Sequence, residues 1–410
     1  MNGSQRPVQS LQHPGGVGKG EYNEVYLQQF SVEYEYPVVF TDGLFDVENP
    51  IFAATLSRRE PERRHRFIVY IDSNVATSWP GLIEQILTYA DAHSRVIELV
   101  APPQLMPGGE EAKNSPELVA QVHRALHSLS IDRQSFLVAI GGGAFLDLLG
   151  YVAATTHRGL RHIRVPTTVL AQNDSGVGVK NGINAFGVKN FIGCFTPPFA
   201  VLNDMAFLRT LSQRDRISGL AEAVKVALIR DATFFAWLED HALLLRQGDR
   251  TITAQMIRRC AELHLRQIAF GGDPFEAGNV RPLDYGHWAA HKLEALSQHD
   301  LRHGEAVAIG LALDTRYSVQ VGLLPLGDEE RVVNVLHTLG FSLWHEALEL
   351  RTETGAWKLL DGLKEFQEHM GGELTITLLR EIGSGEEVHQ MEPEEILLAL
   401  AWLHQREPRP

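Results

Sequence analysis

The sequence predicts an α/β fold, in which an N-terminal domain with a mostly parallel sheet is followed by an all-α C-terminal domain. Short apolar runs alternate with helical stretches up to about residue 204, which is typical of a parallel sheet covered by helices. Beyond that residue, long amphipathic helical segments follow one another. We therefore expect a flexible polar arm over residues 1–25, an α/β domain over 26–204 and a helical domain over 205–410, with a cleft between the two domains.

Each strand of the predicted sheet is an apolar segment that ends in polar or turn-forming residues. The alternating segment 31–40 suits a half-buried strand, and continuous apolar runs suit buried strands at 67–71, 95–100, 136–140 and 162–165. Helical stretches at 115–129 and 144–155 lie between these strands. In the C-terminal half, helical periodicity covers 220–238, 254–268, 285–296, 305–321 and 393–405.

Composition argues against several classes of function. Of the 410 residues, 44% are apolar and 21% are charged, as in ordinary globular proteins, and the net charge is −14. Such an acidic chain is a poor candidate for binding nucleic acids or anionic membranes. The sequence has no apolar stretch of about 20 residues and no signal-peptide pattern, and its two cysteines fit a reducing compartment. We therefore expect a cytoplasmic protein without membrane segments.

Three glycines, Gly141–Gly143, follow a predicted strand and open a helix. Glycines let the backbone approach a ligand closely, and the free N–H groups of a helix N-terminus suit a pyrophosphate. The pattern is not G-x-G-x-x-G, so a standard Rossmann site is not supported, and a plain tight turn explains the glycines equally well. Asp72 and Asn74 end an earlier strand and could hydrogen-bond a ribose.

A carboxylate and several imidazoles form a candidate metal site in the C-terminal half. Glu222 and Lys225 share a helix face among apolar neighbours, and His287 and His291 lie one helical turn apart. His303 begins another apolar helix. A carboxylate with two imidazoles suits Zn²⁺ and leaves coordination positions open, as in catalytic sites. With 18 histidines in the chain, chance also explains one such spacing.

Charged residues in a glycine-rich segment form a candidate anion pocket. Asp174, Lys180, Lys189 and Asn190 lie close together in the chain, separated by apolar residues. Two lysines and an asparagine are suitable donors for a phosphate. A solvated basic loop is the competing interpretation, although it leaves the intervening apolar residues unexplained.

Taken together, these motifs resemble the sugar phosphate cyclases of the 3-dehydroquinate synthase superfamily, from about residue 31 to residue 400. The motifs are Gly109-Glu-Glu-Ala-Lys113, Gly141-Gly-Gly-Ala-Phe-Leu-Asp147, His157-Arg-Gly159, Val165-Pro-Thr-Thr168, Asp174 to Lys180, Gly187-Val-Lys-Asn190, Gly219-Leu-Ala-Glu-Ala-Val-Lys225, Gly286-His287 with His291, and His303-Gly-Glu305. Several ordered motifs at compatible spacings are more specific than any one of them.

The resemblance implies a cofactor, a metal and a substrate site. NAD⁺ would be bound by Asp72, Asn74, Glu110, Lys113, Gly142, Gly143, Asp147, Thr167 and Thr168. Zn²⁺ or Co²⁺ would be held by Glu222, His287 and His303. Asp174, Lys180, Lys189, Asn190, Lys225 and His291 would surround a sugar phosphate. Arg158 would reach the substrate phosphate of a neighbouring subunit, which implies a homodimer.

The implied reaction borrows and returns a hydride within one turnover, so it has no net oxidation and belongs to the phosphate lyases. The metal would lower the pKa of substrate hydroxyls, and transient oxidation would allow phosphate to leave before the ring closes. The substrate would be a heptulosonate or heptulose phosphate.

Five positions bear on the choice of substrate, and one of them, His291, is present as in the dehydroquinate and deoxyinosose synthases. The dehydroquinate synthases carry Asn where this chain has Asp284, and a C-terminal lysine near the position of His369. This Asp and His combination resembles the valiolone-type cyclases acting on sedoheptulose 7-phosphate. Arg266 and Arg281 lie roughly where the dehydroquinate branch binds a substrate carboxylate. Two other classes remain as alternatives, a metal-dependent polyol oxidoreductase of the glycerol dehydrogenase type and a non-catalytic binding protein.

Overall fold

The computed structural model describes residues 28–275, 282–298, 300–369 and 372–406. From Tyr36 onward the chain forms one compact unit, and residues 28–35 fall outside it and contain neither helix nor strand. The predicted arm over residues 1–25 lies outside the described residues. Both halves of the chain belong to the same compact unit, and the predicted domain boundary at residue 204 stays a prediction.

The N-terminal half is built on a parallel sheet, as predicted. Its strands are β1 (Val38–Thr41), β2 (His65–Asp72), β3 (Ile97–Leu99), β4 (Gln104–Met106), β5 (Phe136–Gly141), β6 (Arg161–Pro166), β7 (Lys180–Ala185), β8 (Val188–Phe195) and β9 (Ala200–Asp204). Seven of them form one sheet in the order β1-β9-β6-β5-β2-β3, with β4 also paired to β2, and all these pairings are parallel. The remaining two, β7 and β8, form an antiparallel hairpin.

Helices cover the sheet and make up most of the C-terminal half. They are α1 (Ile51–Ser57), α2 (Ser73–Ser78), α3 (Leu82–Ala92), α4 (Pro116–Ser128), α5 (Gly143–Thr155), α6 (Gln213–Ser218), α7 (Leu220–Arg230), α8 (Ala232–Gln247), α9 (Arg250–Phe270), α10 (His287–Leu296), α11 (His303–Gln320), α12 (Asp328–Leu339), α13 (Asp361–His369) and α14 (Pro393–His404). A second hairpin, β10 (Ile376–Glu381) and β11 (Ser384–Val388), lies between α13 and α14.

The structure differs from the predicted elements at several places. The predicted strand at 31–40 begins only at Val38, directly after Pro37, which has no N–H to donate to a sheet. The predicted helix 220–238 is two helices, because Asp231 leaves the helical conformation and its carboxylate caps α8 at the Phe234 N–H. The C-terminal half is helical as predicted, but it also contains the β10–β11 hairpin, which an all-α domain would lack.

Parallel strands place their carboxyl ends at one edge of the sheet. The ends of β2 at Asp72, β5 at Gly141 and β6 at Pro166 therefore bring the predicted cofactor segments to the same edge. In the helical half, every residue of α7 except Arg230 is buried, so α7 is a central helix. Within the described ranges, no helix has both the length and the apolar character needed to cross a membrane.

Candidate active site

Three predicted metal ligands converge at the starts of two helices and on the central helix α7. Glu222 lies in the first turn of α7, and His287 and His303 are the first residues of α10 and α11. The His303 Nε2 atom lies 3.3 Å from Glu222 Oε1, and the His287 Nε2 atom lies 3.7 Å from the same oxygen. One ligand atom from each residue falls within 4.8 Å of the others. These residues are 81 positions apart at most in the chain, from 222 to 303, and the fold brings them together.

Glycines allow this close approach of helix ends. A Cβ atom at Gly304 would lie 1.8 Å from the Ser218 carbonyl oxygen, just before α7. A Cβ atom at Gly310 would lie 2.1 Å from the carbonyl oxygen of Gly286, which precedes α10. Gly286 itself has φ of +76°, which a side chain would strain. The backbone contacts at these glycines therefore set where His287 and His303 begin their helices.

Both imidazoles are oriented by acceptors behind them. The His287 Nδ1 atom lies 3.0 Å from the Tyr285 carbonyl oxygen, and the His303 Nδ1 atom lies 3.2 Å from Glu294 Oε2. An Nδ1–H that donates to such an acceptor leaves the Nε2 lone pair directed toward Glu222. This is the arrangement of histidines that bind a metal.

The donor set fits a divalent cation. Neither carboxylate oxygen of Glu222 accepts a well-formed hydrogen bond among the described residues, although the side chain is only 1% exposed. A buried carboxylate without donors is costly unless a cation compensates it. Lys225 supplies a compensating positive charge at Glu222 Oε2, and Glu222 Oε1 and the two imidazoles would be the donors to a divalent ion.

Charges around the cluster shift several pKa values. Burial alone would raise the pKa of Glu222, but Lys225, His303 and His287 together hold that pKa well below its usual range. Burial would lower the pKa of His303, yet Glu294 and Glu222 outweigh it and raise the pKa to about 9. Burial would likewise raise the pKa of Glu294, and His303 and Lys189 instead hold it far below its usual range. Without a bound ion these groups therefore favour their charged forms, and a metal ion would replace the proton on His303 Nε2.

Asp174 lies beside this cluster, in a π-helical turn at Ala171–Ser175. Its Oδ1 atom is 2.7 Å from His264 Nδ1 on α9. Burial opposes ionisation of Asp174, but Lys225 and His264 lower its pKa despite the nearby Glu222. The predicted substrate residues Asp174 and Lys225 thus share one electrostatic environment with the metal ligands.

Further predicted substrate residues surround the same cluster. The His291 ring lies with its centroid 5.4 Å from that of His287 and 6.2 Å from that of His303. Burial would raise the pKa of Asp284, and Lys180 and His287 are the strongest of the charges that instead lower it. The structure therefore brings Asp284, His291 and Lys180 into the surroundings of the metal ligands.

The β7–β8 hairpin carries two adjacent predicted residues that contact different parts of the protein. Lys189 Nζ lies 3.1 Å from Glu294 Oε1 on α10. Asn190, with φ of 55°, accepts a hydrogen bond from the buried ammonium of Lys113, which also donates to Asp147 Oδ2 at 3.1 Å. The hairpin thus joins the predicted cofactor segment to the helices that hold the metal ligands.

The predicted cofactor residues lie at the carboxyl edge of the sheet. No side chain caps the first turn of α5 at Gly142, which leaves N–H groups for a phosphate. A Cβ atom at Gly143 would lie 2.5 Å from Ser175 Oγ, so a larger residue would displace the Ser175 side chain. Asp72 accepts from the Asn74 N–H at 2.8 Å, and the Thr167 hydroxyl is buried without a partner among the described residues. Among the other predicted cofactor residues, Glu110 Oε1 lies 3.8 Å from Lys113 Nζ, and the Thr168 hydroxyl oxygen accepts from the Ala171 N–H.

Four residues that were predicted to bind substrate either lie away from the metal cluster or fall outside the described part of the chain. Arg266 is exposed and two residues beyond His264 on α9, so its side chain leaves the helix from nearly the opposite face. The structure therefore does not bring Arg266 to the metal cluster, and its contact with substrate stays a prediction. Arg158 is exposed beyond the C-terminal end of α5, far from the glycine turn at its start. Arg281 and the side chain of His369 lie outside the described residues.

Two residues of the site are missing from the sequence-based prediction. Glu294 lies seven positions after His287 and three after His291, and this spacing places all three on one helix face. That signal was available in the sequence. His264 contacts Asp174 from 90 positions away, and no local pattern indicates such a contact.

Comparisons with known proteins find related sequences and a related fold. Two family models match, 3-dehydroquinate synthase N-terminal over residues 104–218 and 3-dehydroquinate synthase C-terminal over residues 219–360. The chain is 36% identical to a 3-dehydroquinate synthase of Ruegeria sp. (strain TM1040), over 72% of this chain and 79% of that protein. It is 34% identical to a 2-epi-5-epi-valiolone synthase of Actinomyces sp, over 88% and 93%. A solved structure of ValA, the 2-epi-5-epi-valiolone synthase from Streptomyces hygroscopicus subsp. jinggangensis 5008 with NAD⁺ and Zn²⁺ bound, matches with a TM-score of 0.82 at 29% identity, over 93% of this chain and all of that one.

Proposed function

Because the chain belongs to the 3-dehydroquinate synthase family, we propose that it is a sugar phosphate cyclase that requires NAD and a divalent metal ion, Zn²⁺ or Co²⁺. The observation that carries this proposal is the convergence of Glu222, His287 and His303 beside the buried Lys225.

The residues of the chain divide into those that hold cofactors and those that hold substrate. Glu222, His287 and His303 would hold the ion, and the glycine turn before α5 would receive the pyrophosphate of NAD⁺. When bound, NAD⁺ supplies a hydride acceptor and donor, and the ion supplies a Lewis acid for substrate hydroxyls. Lys180, Asn190 and His291 would bind the phosphate, and Asp174 would accept a hydrogen bond from a substrate hydroxyl.

The reaction would be an elimination of phosphate followed by ring closure, so the enzyme would be a carbon–oxygen lyase acting on a phosphate. The substrate would be a seven-carbon heptulosonate or heptulose phosphate. A cytoplasmic homodimer, in which Arg158 of each subunit serves the neighbouring site, completes the proposal. Arg158 is exposed beyond the end of α5 and is therefore available to another subunit.

A specific observation favours sedoheptulose 7-phosphate as the second candidate substrate. Asp284 places a carboxylate among the site residues, and a substrate carboxylate nearby would be repelled. Arg266, which the sequence suggested as a partner for that carboxylate, faces away from the site. The hydroxyl groups at the uncharged end of a heptulose phosphate would instead donate hydrogen bonds to Asp284.

The test is a measurement of phosphate release from a panel of heptulosonate and heptulose phosphates, with NADH absorbance recorded in parallel and products identified by NMR. We expect phosphate release without net NADH, and we expect Glu222→Gln to abolish it. Glu329→Gln is the matched control, because Glu329 is a buried glutamate paired with Arg316 on α11 at 2.9 Å rather than with the site. Steady accumulation of NADH without phosphate release would contradict the proposal and indicate a polyol dehydrogenase.

A further inference from the structure

Glu294 contacts the site from two sides. Its side chain is 8% exposed on α10, on the helix face shared by His287 and His291. The two carboxylate oxygens have different principal partners, since Oε1 lies 3.1 Å from Lys189 Nζ and Oε2 lies 3.2 Å from His303 Nδ1. Lys189 Nζ also reaches Oε2 at 3.4 Å. One buried carboxylate therefore joins a hairpin residue to a proposed metal ligand.

We propose that Glu294 is a positioning residue that orients His303 for the metal and, through Lys189, anchors the β7–β8 hairpin over the site. The metal part of this inference rests on the proposed function. Glu294 acts through other residues and is not assigned any contact with substrate.

The effect on His303 follows from hydrogen-bond geometry. A carboxylate that accepts from Nδ1 fixes the ring orientation and makes Nε2 the more basic ligand atom. The His303 Nε2 atom is 3.3 Å from Glu222 Oε1, so the ring is already directed at the ligand cluster. A neutral side chain at position 294 would weaken this orientation and lower the affinity for a divalent ion.

The β7–β8 hairpin is held by contacts on two sides, and the ion pair with Glu294 supplies one of them. Asn190 is bound by Lys113, and its N–H donates to Asn184 Oδ1 at 2.8 Å within the hairpin. Asn184 in turn donates to Glu110 Oε1 at 3.1 Å. These contacts hold the hairpin to the predicted cofactor segment, and the Lys189–Glu294 ion pair holds it to α10. Loss of the ion pair would release the second side while leaving the first intact.

The test uses Glu294→Gln, which keeps the size of the side chain and removes its charge. We expect the zinc dissociation constant, measured by chelator competition, to rise about 10–100-fold. We also expect faster amide hydrogen exchange in the hairpin of the protein without added zinc or NAD⁺. Glu329→Gln, the matched buried glutamate, should change neither measurement. A zinc affinity within twofold of the parent and unchanged exchange would overturn the inference.

Lys189→Met separates the two effects, because it removes the hairpin partner and leaves the Glu294–His303 contact in place. We expect faster exchange in the hairpin with zinc affinity close to that of the parent. If Glu294→Gln failed to fold, Glu294→Asp would replace it, since one methylene less prevents the carboxylate from reaching both partners. A parent protein that binds no zinc would contradict the proposed function, and hairpin exchange in these variants would then support or overturn the Lys189 contact by itself.

Discussion

The buried guanidinium group of Arg164 holds the segment that leads to Lys180. Arg164 on β6 is fully buried and donates to the carbonyl oxygens of Gly176, Gly178 and Lys180 at 2.8–3.1 Å. It also donates to Asn181 Oδ1 at 2.6 Å. These acceptors lie between Gly176 and Asn181, the second residue of β7, so Arg164 fixes the backbone that leads from Asp174 into the hairpin.

Replacing Arg164 by Met should destabilise the protein and loosen this loop. The change leaves several buried carbonyl groups without donors, and each unsatisfied group costs about 1–3 kcal/mol. We expect the free energy of unfolding, measured with urea, to fall by at least about 2 kcal/mol. Arg331→Met is the control, because Arg331 is 46% exposed in its ion pair with Glu239 and should contribute less than about 1 kcal/mol. Equal losses in the two variants would contradict the role of Arg164.

Residue type suggested Glu222, His287, His291 and His303 as candidates, and the resemblance to a known family selected Glu222, His287 and His303, which the structure brings together. Contacts that depend on the packing of distant elements were not predicted. The sequence does not indicate that Arg266 lies on an exposed face of α9, because which face is exposed depends on how α9 packs. The contact between His264 and Asp174 depends on the same packing of α9 against the π-helical turn.

At the scale of elements, the buried carboxyl group of Asp314 on α11 fixes the start of α10. Asp314 on α11 is fully buried and accepts from Trp288 Nε1 at 2.9 Å. The neighbouring Thr315 pairs its hydroxyl with Tyr285 at 2.6 Å. These contacts hold the residues on both sides of His287, and the Tyr285 carbonyl in turn accepts from the His287 ring.

Asp314→Asn should flatten part of the pH dependence of stability. Burial raises the pKa of Asp314 from 3.8 to about 7, although the Trp288 and Gly286 hydrogen bonds act against it. The folded protein therefore holds a proton that the unfolded chain loses, and stability falls as pH rises from about 4 to about 7. Asn keeps the acceptor for Trp288 and does not titrate.

Urea unfolding at a series of pH values checks this prediction. The free energy of unfolding of the parent should decrease relative to that of Asp314→Asn across the window from about pH 4 to about pH 7, and the difference between them should be constant above it. Parallel curves for the two proteins across the whole range would show that Asp314 does not change its protonation on folding.

The elements themselves were predicted unequally. Continuous apolar runs predicted β2, β5 and β6, because strands buried on both faces lack alternation. The sequence of the β7–β8 hairpin predicts a glycine-rich loop, because its glycines and charged residues obscure the pattern of a strand. Its apolar residues Val188, Phe191, Ile192 and Phe195 are exposed and do not alternate with buried ones. Its pairing is set by contacts to other parts of the chain, which no local pattern contains.

At the scale of the whole molecule, the hairpin and the helix starts join two halves with different tasks. The carboxyl edge of the sheet carries the proposed cofactor residues, and the helical half carries the proposed metal ligands. Lys189 and Asn190 contact one half each. A reaction that passes a hydride between a cofactor and a metal-bound substrate requires both halves to face the same space, and these contacts supply that arrangement.

The proposed dimer extends the site beyond one chain and predicts complementation between inactive variants. If Arg158 serves the neighbouring subunit, Arg158→Ala and Glu222→Gln should each be inactive alone, because every site in either homodimer lacks one required group. Subunit exchange in an equimolar mixture would give half heterodimers, each with one complete site, and restore about a quarter of the parent activity. Phosphate release measured after mixing and after a refolding step tests this.

Mixing with the double variant Arg158→Ala, Glu222→Gln is the control and should restore nothing. Activity of Arg158→Ala equal to that of the parent would contradict a role for Arg158 in the reaction, and absence of recovery in an exchanged mixture would place Arg158 in its own subunit's site.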